Sequence, residues 1–125
     1  MKRDMELIRQ ILFNVENKID NVVIENLEVS DYDKEEIAYH CALLYEAGLI
    51  SYYEGEYADG EICDFIIGRL TWDGHELLDK IREDTVWNRT KDIITTKGLP
   101  MIFDVVKEVA SSIIVTLTQK ATMGL

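Results

Sequence analysis

Residues 33–50 read DKEEIAYHCALLYEAGLI, residues 51–68 read SYYEGEYADGEICDFIIG, and residues 69–72 read RLTW. Asp33, with Glu36 three positions on, forms a capping box, so a helix is predicted to start here. Ile37, Cys41 and Leu44, flanked by Ala38 and Tyr45, recur at helical spacing and make its core-facing stripe. Gly48 supplies the left-handed stop, and Leu49 folds back as the apolar contact beyond it. Lys34, Glu35, Tyr39, His40, Ala42 and Glu46 are left outside, and of these Lys34 alone is basic.

A hairpin follows. Residues 49–57 and 62–70 are rich in β-branched and aromatic residues, and Asp59-Gly60 between them is a tight-turn signal. Cys63, Phe65 and Ile67 alternate with Ile62, Asp64 and Ile66, which predicts one wholly apolar strand face. Thr71 can cap a third helix from Trp72, with Leu77, Leu78 and Ile81 on its apolar face. In Trp72-Asp73-Gly74-His75-Glu76, Trp72 is expected to pack under the hairpin and Gly74 to allow close approach. A second reading makes Trp72, His75 and Arg69 an exposed patch. Helix, glycine stop, hairpin and helix in this order suggest the second half of a winged helix-turn-helix domain, with the hairpin as its wing.

Upstream, Asp4 can cap a helix over residues 4–17 with Leu7, Ile8, Ile11, Leu12 and Val15 buried. Val22, Ile24 and Leu27 suggest a strand within residues 21–29 that pairs with the hairpin. This stretch is too short and too β-like for the middle helix of the common winged pattern. Downstream, the third helix runs on toward Ile94 or breaks near Asp84-Thr85, which offer a second cap. Lys97-Gly98 is a stop, and Pro100 fits the first turn of a last helix. Ile102, Val105, Val106, Val109, Ile113 and Leu117 line that helix, and an apolar terminal helix of this kind is expected to make a homodimer seam. Asp104, Lys107 and Glu108 argue against its crossing a membrane, since each charge at a bilayer centre costs roughly 3 kcal/mol.

The fold class is therefore α+β: a winged helix-turn-helix-like core with a small antiparallel sheet over residues 1–83, and a C-terminal helical extension over residues 84–125. The net charge of −11 is uneven: residues 1–70 carry 16 acidic and 6 basic residues, against 8 and 7 in residues 71–125. The wing, residues 51–68, holds Glu54, Glu56, Asp59, Glu61 and Asp64 and no Lys or Arg. DNA affinity comes largely from cationic side chains displacing counterions, so this charge disfavours a DNA partner.

Catalytic, cofactor and metal sites are not indicated. His40, Cys41, Cys63 and His75 are the soft ligands, without CxxC or HxxxH spacing. Both cysteines read as reduced core residues of a cytoplasmic protein. No phosphate-binding glycine loop is present, and no basic stretch followed by an apolar one opens the chain.

Met1-Lys2-Arg3-Asp4, Glu46-Ala47-Gly48-Leu49-Ile50, the run from Arg69 to Asp79 (RLTWDGHELLD) and Asp84-Thr85-Val86-Trp87-Asn88 together resemble a family of small uncharacterised bacterial and phage proteins, a domain of unknown function. The resemblance covers nearly the whole chain. It implies a bacterial cytoplasmic setting, often in prophages, and a winged-helix-like core; it implies no activity, cofactor or site residues.

A non-enzymatic protein that binds another macromolecule is expected, with a protein partner favoured over DNA. Its contact surfaces are expected on the helix face of Tyr39, His40, Leu43 and Glu46 and on the wing residues Tyr53, Glu54, Glu56 and Tyr57. A DNA-binding regulator is the alternative, and needs Lys2, Arg3, Lys34 and Arg69 on one face. A further alternative is an acidic DNA mimic that inhibits a nucleic-acid enzyme.

Overall fold

Asp4 and Asp33 each turn a side-chain oxygen onto the N–H groups that a helix start leaves unpaired. Asp4 Oδ1 accepts from Glu6 N at 2.9 Å and Leu7 N at 3.2 Å, and the helix α1 (Met5–Glu16) follows. Asp33 and Glu36 close the reciprocal capping box at the start of α2 (Lys34–Glu46). The computed structural model describes residues 1–18 and 23–124. It divides into two compact units, Met1–Glu76 and Leu77–Leu125.

The first unit is mixed α and β. Between α1 and α2 lies β1 (Ile24–Glu25), and after α2 come β2 (Tyr53–Ala58) and β3 (Glu61–Ile67). The three strands form one antiparallel sheet in the order β1-β3-β2. Asp59 and Gly60 both take positive φ, 54° and 79°, so the hairpin closes in the two-residue turn whose twist matches the flanking strands. A bridge between Ile50 and Leu70 extends the ladder to the hairpin base.

The strand expected over residues 21–29 is shorter than its pattern. Asn21 and Val22 lie outside the described residues, and Ile24 and Glu25 alone pair, after which Asn26 turns at φ 47°. Leu27 and Val29 still reach the core. Among the described residues no helix stands between α1 and α2. The core of this unit gathers Leu7, Ile8, Ile11 and Leu12 of α1, Ile37, Cys41 and Leu44 of α2, and Phe65 and Ile67 of β3, each almost wholly buried.

The alternation read for β3 fails at one point. Glu56 pairs with Asp64, but Tyr57 pairs with Ile62, so Cys63 is an extra residue in a β-bulge. Ile62 takes the inner face in its place and Cys63 is exposed, which corrects its reading as a core residue.

Helix α3 (Trp72–Ile81) begins in the first unit and ends in the second. Thr71 caps it as expected, its Oγ1 accepting from Gly74 N at 3.1 Å. A Cβ on Gly74 would lie 2.1 Å from the Leu49 carbonyl oxygen, so glycine is needed for this approach. Trp72 does not pack under the hairpin: it is 78% exposed.

In the second unit α3 ends at Ile81 and α4 (Asp84–Thr96) starts anew. The cap of α4 is Glu83, with no side-chain hydrogen bond, rather than Asp84 or Thr85. Gly98, at φ 65°, ends α4, with Leu99 N donating to Ile94 O and Gly98 N to Thr95 O. Helix α5 (Phe103–Met123) packs on α4, with Val106, Ala110 and Ile113 buried. Pro100 precedes this helix instead of standing in its first turn. Among the described residues no helix is long and apolar enough to cross a membrane.

Candidate interaction surface

The sheet of the first unit has two chemically distinct faces. The inner face carries Tyr53, Gly55 and Tyr57 of β2 beside Ile62, Phe65 and Ile67 of β3. The two tyrosine hydroxyls meet at 3.1 Å, and a Cβ on Gly55 would lie 2.6 Å from Tyr53 Oη and 3.2 Å from the Tyr57 ring. Glycine here lets the two rings close over the strand. Burial, then the bond to Tyr57, raises the Tyr53 hydroxyl well above its ordinary pKa.

The outer face is acidic. Register places Glu56 directly opposite Asp64, and Glu54 and Glu25 on either side of Ile66. Glu25, Asn26, Glu54, Glu56, Asp64 and Ile66 rim a shallow basin of about 320 Å³. Like charges directly across a strand pair destabilise the sheet, so this pattern is not what stability alone would select. Asn26 Nδ2 donates to Asp64 Oδ1 at 3.0 Å, and Lys34 Nζ stands 3.8 Å from the same oxygen. Among the described residues no group of three or more His, Cys, Asp or Glu is placed to hold a metal ion.

The two long edges of the hairpin are treated differently. Beyond the two residues of β1, the edge of β3 is closed by side chains. Ile62 N donates to Glu35 Oε1 at 2.9 Å, Phe65 N to Asn26 Oδ1 at 2.9 Å, and Lys34 Nζ donates to the Cys63 carbonyl. The opposite edge is β2, the outermost strand, whose Glu54, Glu56, Tyr57 and Ala58 are exposed.

The helix face expected to meet a partner is only partly available. Tyr39 and Glu46 are exposed and Leu43 is half-buried, but His40 is 1% exposed. Its Nε2 accepts from Asp4 N at 2.9 Å, so the ring proton sits on Nδ1 and is donated to Glu36 O at 2.8 Å. His40 is thus a latch between the starts of α1 and α2, not a surface contact. Tyr32 Oη adds a bond of 3.2 Å to Asp4 Oδ2, and burial followed by the Asp4 charge raises its pKa.

On the hairpin, Glu54, Glu56 and Tyr57 are exposed and Tyr53 is half-buried. Sequence reasoning missed Glu25 on the acidic face, although the strand alternation that turns Ile24 inward turns Glu25 outward. Tyr45, expected beside the core-facing stripe of α2, is instead exposed, as is Tyr52, to which sequence reasoning assigned no role, and their rings stand 6.5 Å apart edge to face.

In the second unit Val106 and Ile113 are buried, Ile102, Val105 and Val109 are half-buried and Leu117 is exposed. A groove of about 570 Å³ lies between α4 and α5, lined by Arg89 and Ile93 of α4, Leu99, and Val105, Glu108 and Val109 of α5 among others.

A family model described as "Hypothetical protein (DUF2513)" matches residues 2–100. The chain is 41% identical over 117 residues, 91% of this chain and 96% of the relative, to an "Uncharacterized protein" of Haemophilus influenzae. No solved structure matches it.

Proposed function

For a chain that belongs to the DUF2513 family of hypothetical proteins, we propose a role carried by binding and not by catalysis. Its first unit is an acidic, winged-helix-like module that docks on a protein partner in the bacterial cytoplasm, in a regulatory setting such as a prophage or other mobile element. The winged-helix reading is supported by α2 feeding directly into the hairpin and by the strand order β1-β3-β2. The side of α5 with Val105 and Val109 is the proposed seam between two copies.

The acidic sheet face carries the reading. Residues 1–76 hold 18 acidic and 6 basic residues, net −12, and residues 77–125 hold 6 and 7, net +1. A duplex would meet like charge on the wing. Of the four cations a DNA-binding regulator would need together, Lys34 is already held by the Cys63 carbonyl and Asp64. The same row of carboxylates favours one second reading, a decoy that occupies the groove of a nucleic-acid enzyme.

Affinity capture of the tagged protein from its host, with and without nuclease, tests the proposal. A protein partner that persists after nuclease and is lost on Glu54→Lys/Glu56→Lys is expected. Recovery of nucleic acid alone, together with a salt-sensitive duplex shift abolished by Arg3→Ala, would overturn it.

A further inference from the structure

Among the described residues of the first unit no strand pairs with the outer side of β2, and the hydrogen bonds of β3 identify which groups point there. Phe65 gives its N–H to Asn26 Oδ1 and its C=O to Asn26 N at 2.8 Å, both on the β1 side. In an antiparallel ladder the residue opposite, Gly55, then turns its own N–H and C=O outward, and so does Tyr53 opposite Ile67. The neighbouring rungs, Glu54 with Ile66 and Glu56 with Asp64, make the inward bonds, consistent with Gly68 N donating to Tyr52 O at 2.9 Å. Open strand edges are usually blunted, and here the opposite edge is blunted by Glu35, Asn26 and Lys34. The edge left open is bordered by Glu54 and Glu56.

Resting on the protein-partner reading above, we infer that β2 is a strand-addition site for an extended basic segment of that partner. Backbone pairing along Tyr53 and Gly55 supplies affinity, and alternate Lys or Arg side chains on the acidic face, beside Glu54 and Glu56, supply selectivity. A second copy of β2 does not fit the same edge: antiparallel self-pairing about Gly55 sets Glu54 against Glu56 in both directions, a like-charge arrangement. An acidic or neutral strand gains the backbone bonds without the charge complement. Gly55, with no side chain of its own and both tyrosine rings on the inner face, keeps the centre of the edge unobstructed.

The test uses the full chain labelled with 15N and a peptide of alternating lysine and valine. Slowed hydrogen exchange at the Tyr53 and Gly55 amides on titration is expected. Binding should weaken about tenfold on Glu54→Lys/Glu56→Lys, and should disappear for the same peptide with alternate backbone nitrogens methylated. The methylated peptide leaves the protein untouched, so that arm holds even if the double variant folds poorly. Equal binding by the methylated peptide, protection confined to other residues, protection of β2 by a second copy without peptide, or no binding at all would overturn the inference. A captured protein partner that survives nuclease while the β2 amides stay unprotected sinks strand addition alone. Loss of every protein partner sinks the reading it rests on.

Discussion

Cys41 and Cys63 have the same chemistry and opposite surroundings. Cys41 is wholly buried on α2, and burial pushes its thiol from 9.0 up to about 12. Cys63, the bulge residue, is exposed. Since the thiolate is the nucleophile, a native-state thiol reagent at neutral pH is expected to label Cys63 alone, and Cys41 only in denaturant. Labelling of both at the same rate would show that the core around Cys41 opens. The same shift acts on stability. The folded thiol keeps its proton above pH 9, where the unfolded thiol has lost it, so stability present below pH 9 declines as pH rises from 9 toward about 12. Each pH unit in that window costs about 1.4 kcal/mol. Denaturant midpoints measured across the window should fall less steeply for Cys41→Ala than for the parent. His40 is the residue whose place was least legible. Its spacing, three residues after Ile37 and four before Leu44, sits on the buried stripe, but its polarity argued for the surface. The partner that satisfies it, the Asp4 N–H, is 36 positions away in the chain.

At the scale of elements, close approach at the α3 start is the most exposed to substitution. Gly74→Ala would drive a Cβ to 2.1 Å from the Leu49 carbonyl oxygen, a backbone atom that cannot rotate aside. A loss of about 1–3 kcal/mol is expected, read from denaturant midpoints. An unchanged midpoint would mean that α3 can shift away from residue 49 without cost. The helices, their caps and the hairpin were legible because each is written locally: a capping box, a glycine stop, an Asp-Gly turn. The acidic row was legible from composition, but its confinement to one face needed the register between strands. The bulge at Cys63 was not legible, since a period-two reading has no means of showing an inserted residue. Trp72, read either as packed under the hairpin or as exposed near Arg69 and His75, is exposed, as they are. It lies off the stripe of Gly74, Leu77, Leu78 and Ile81, and the geometry of α3 leaves it outside.

At the scale of the molecule, charge is divided between the units, net −12 and +1. Self-repulsion within residues 1–76 opposes their compact state and is relieved by screening. The melting temperature is therefore expected to rise from low salt to about 1 M NaCl, where the Debye length is about 3 Å. A falling melting temperature would assign more weight to ion pairs such as Lys34–Asp64 than to the repulsion around them. The bulge in β3 also bears on how this chain can change over generations. Loss of the single codon for Cys63 would restore strict alternation through the hairpin. Ile62 would stay on the inner face opposite Tyr57, and the hairpin would lose the extra twist that the bulge imposes beside its open edge. A one-residue deletion there should therefore keep the strand register and cost the twist alone, read as a small drop in melting temperature. The hairpin can then shorten by this one residue without moving a side chain across the sheet.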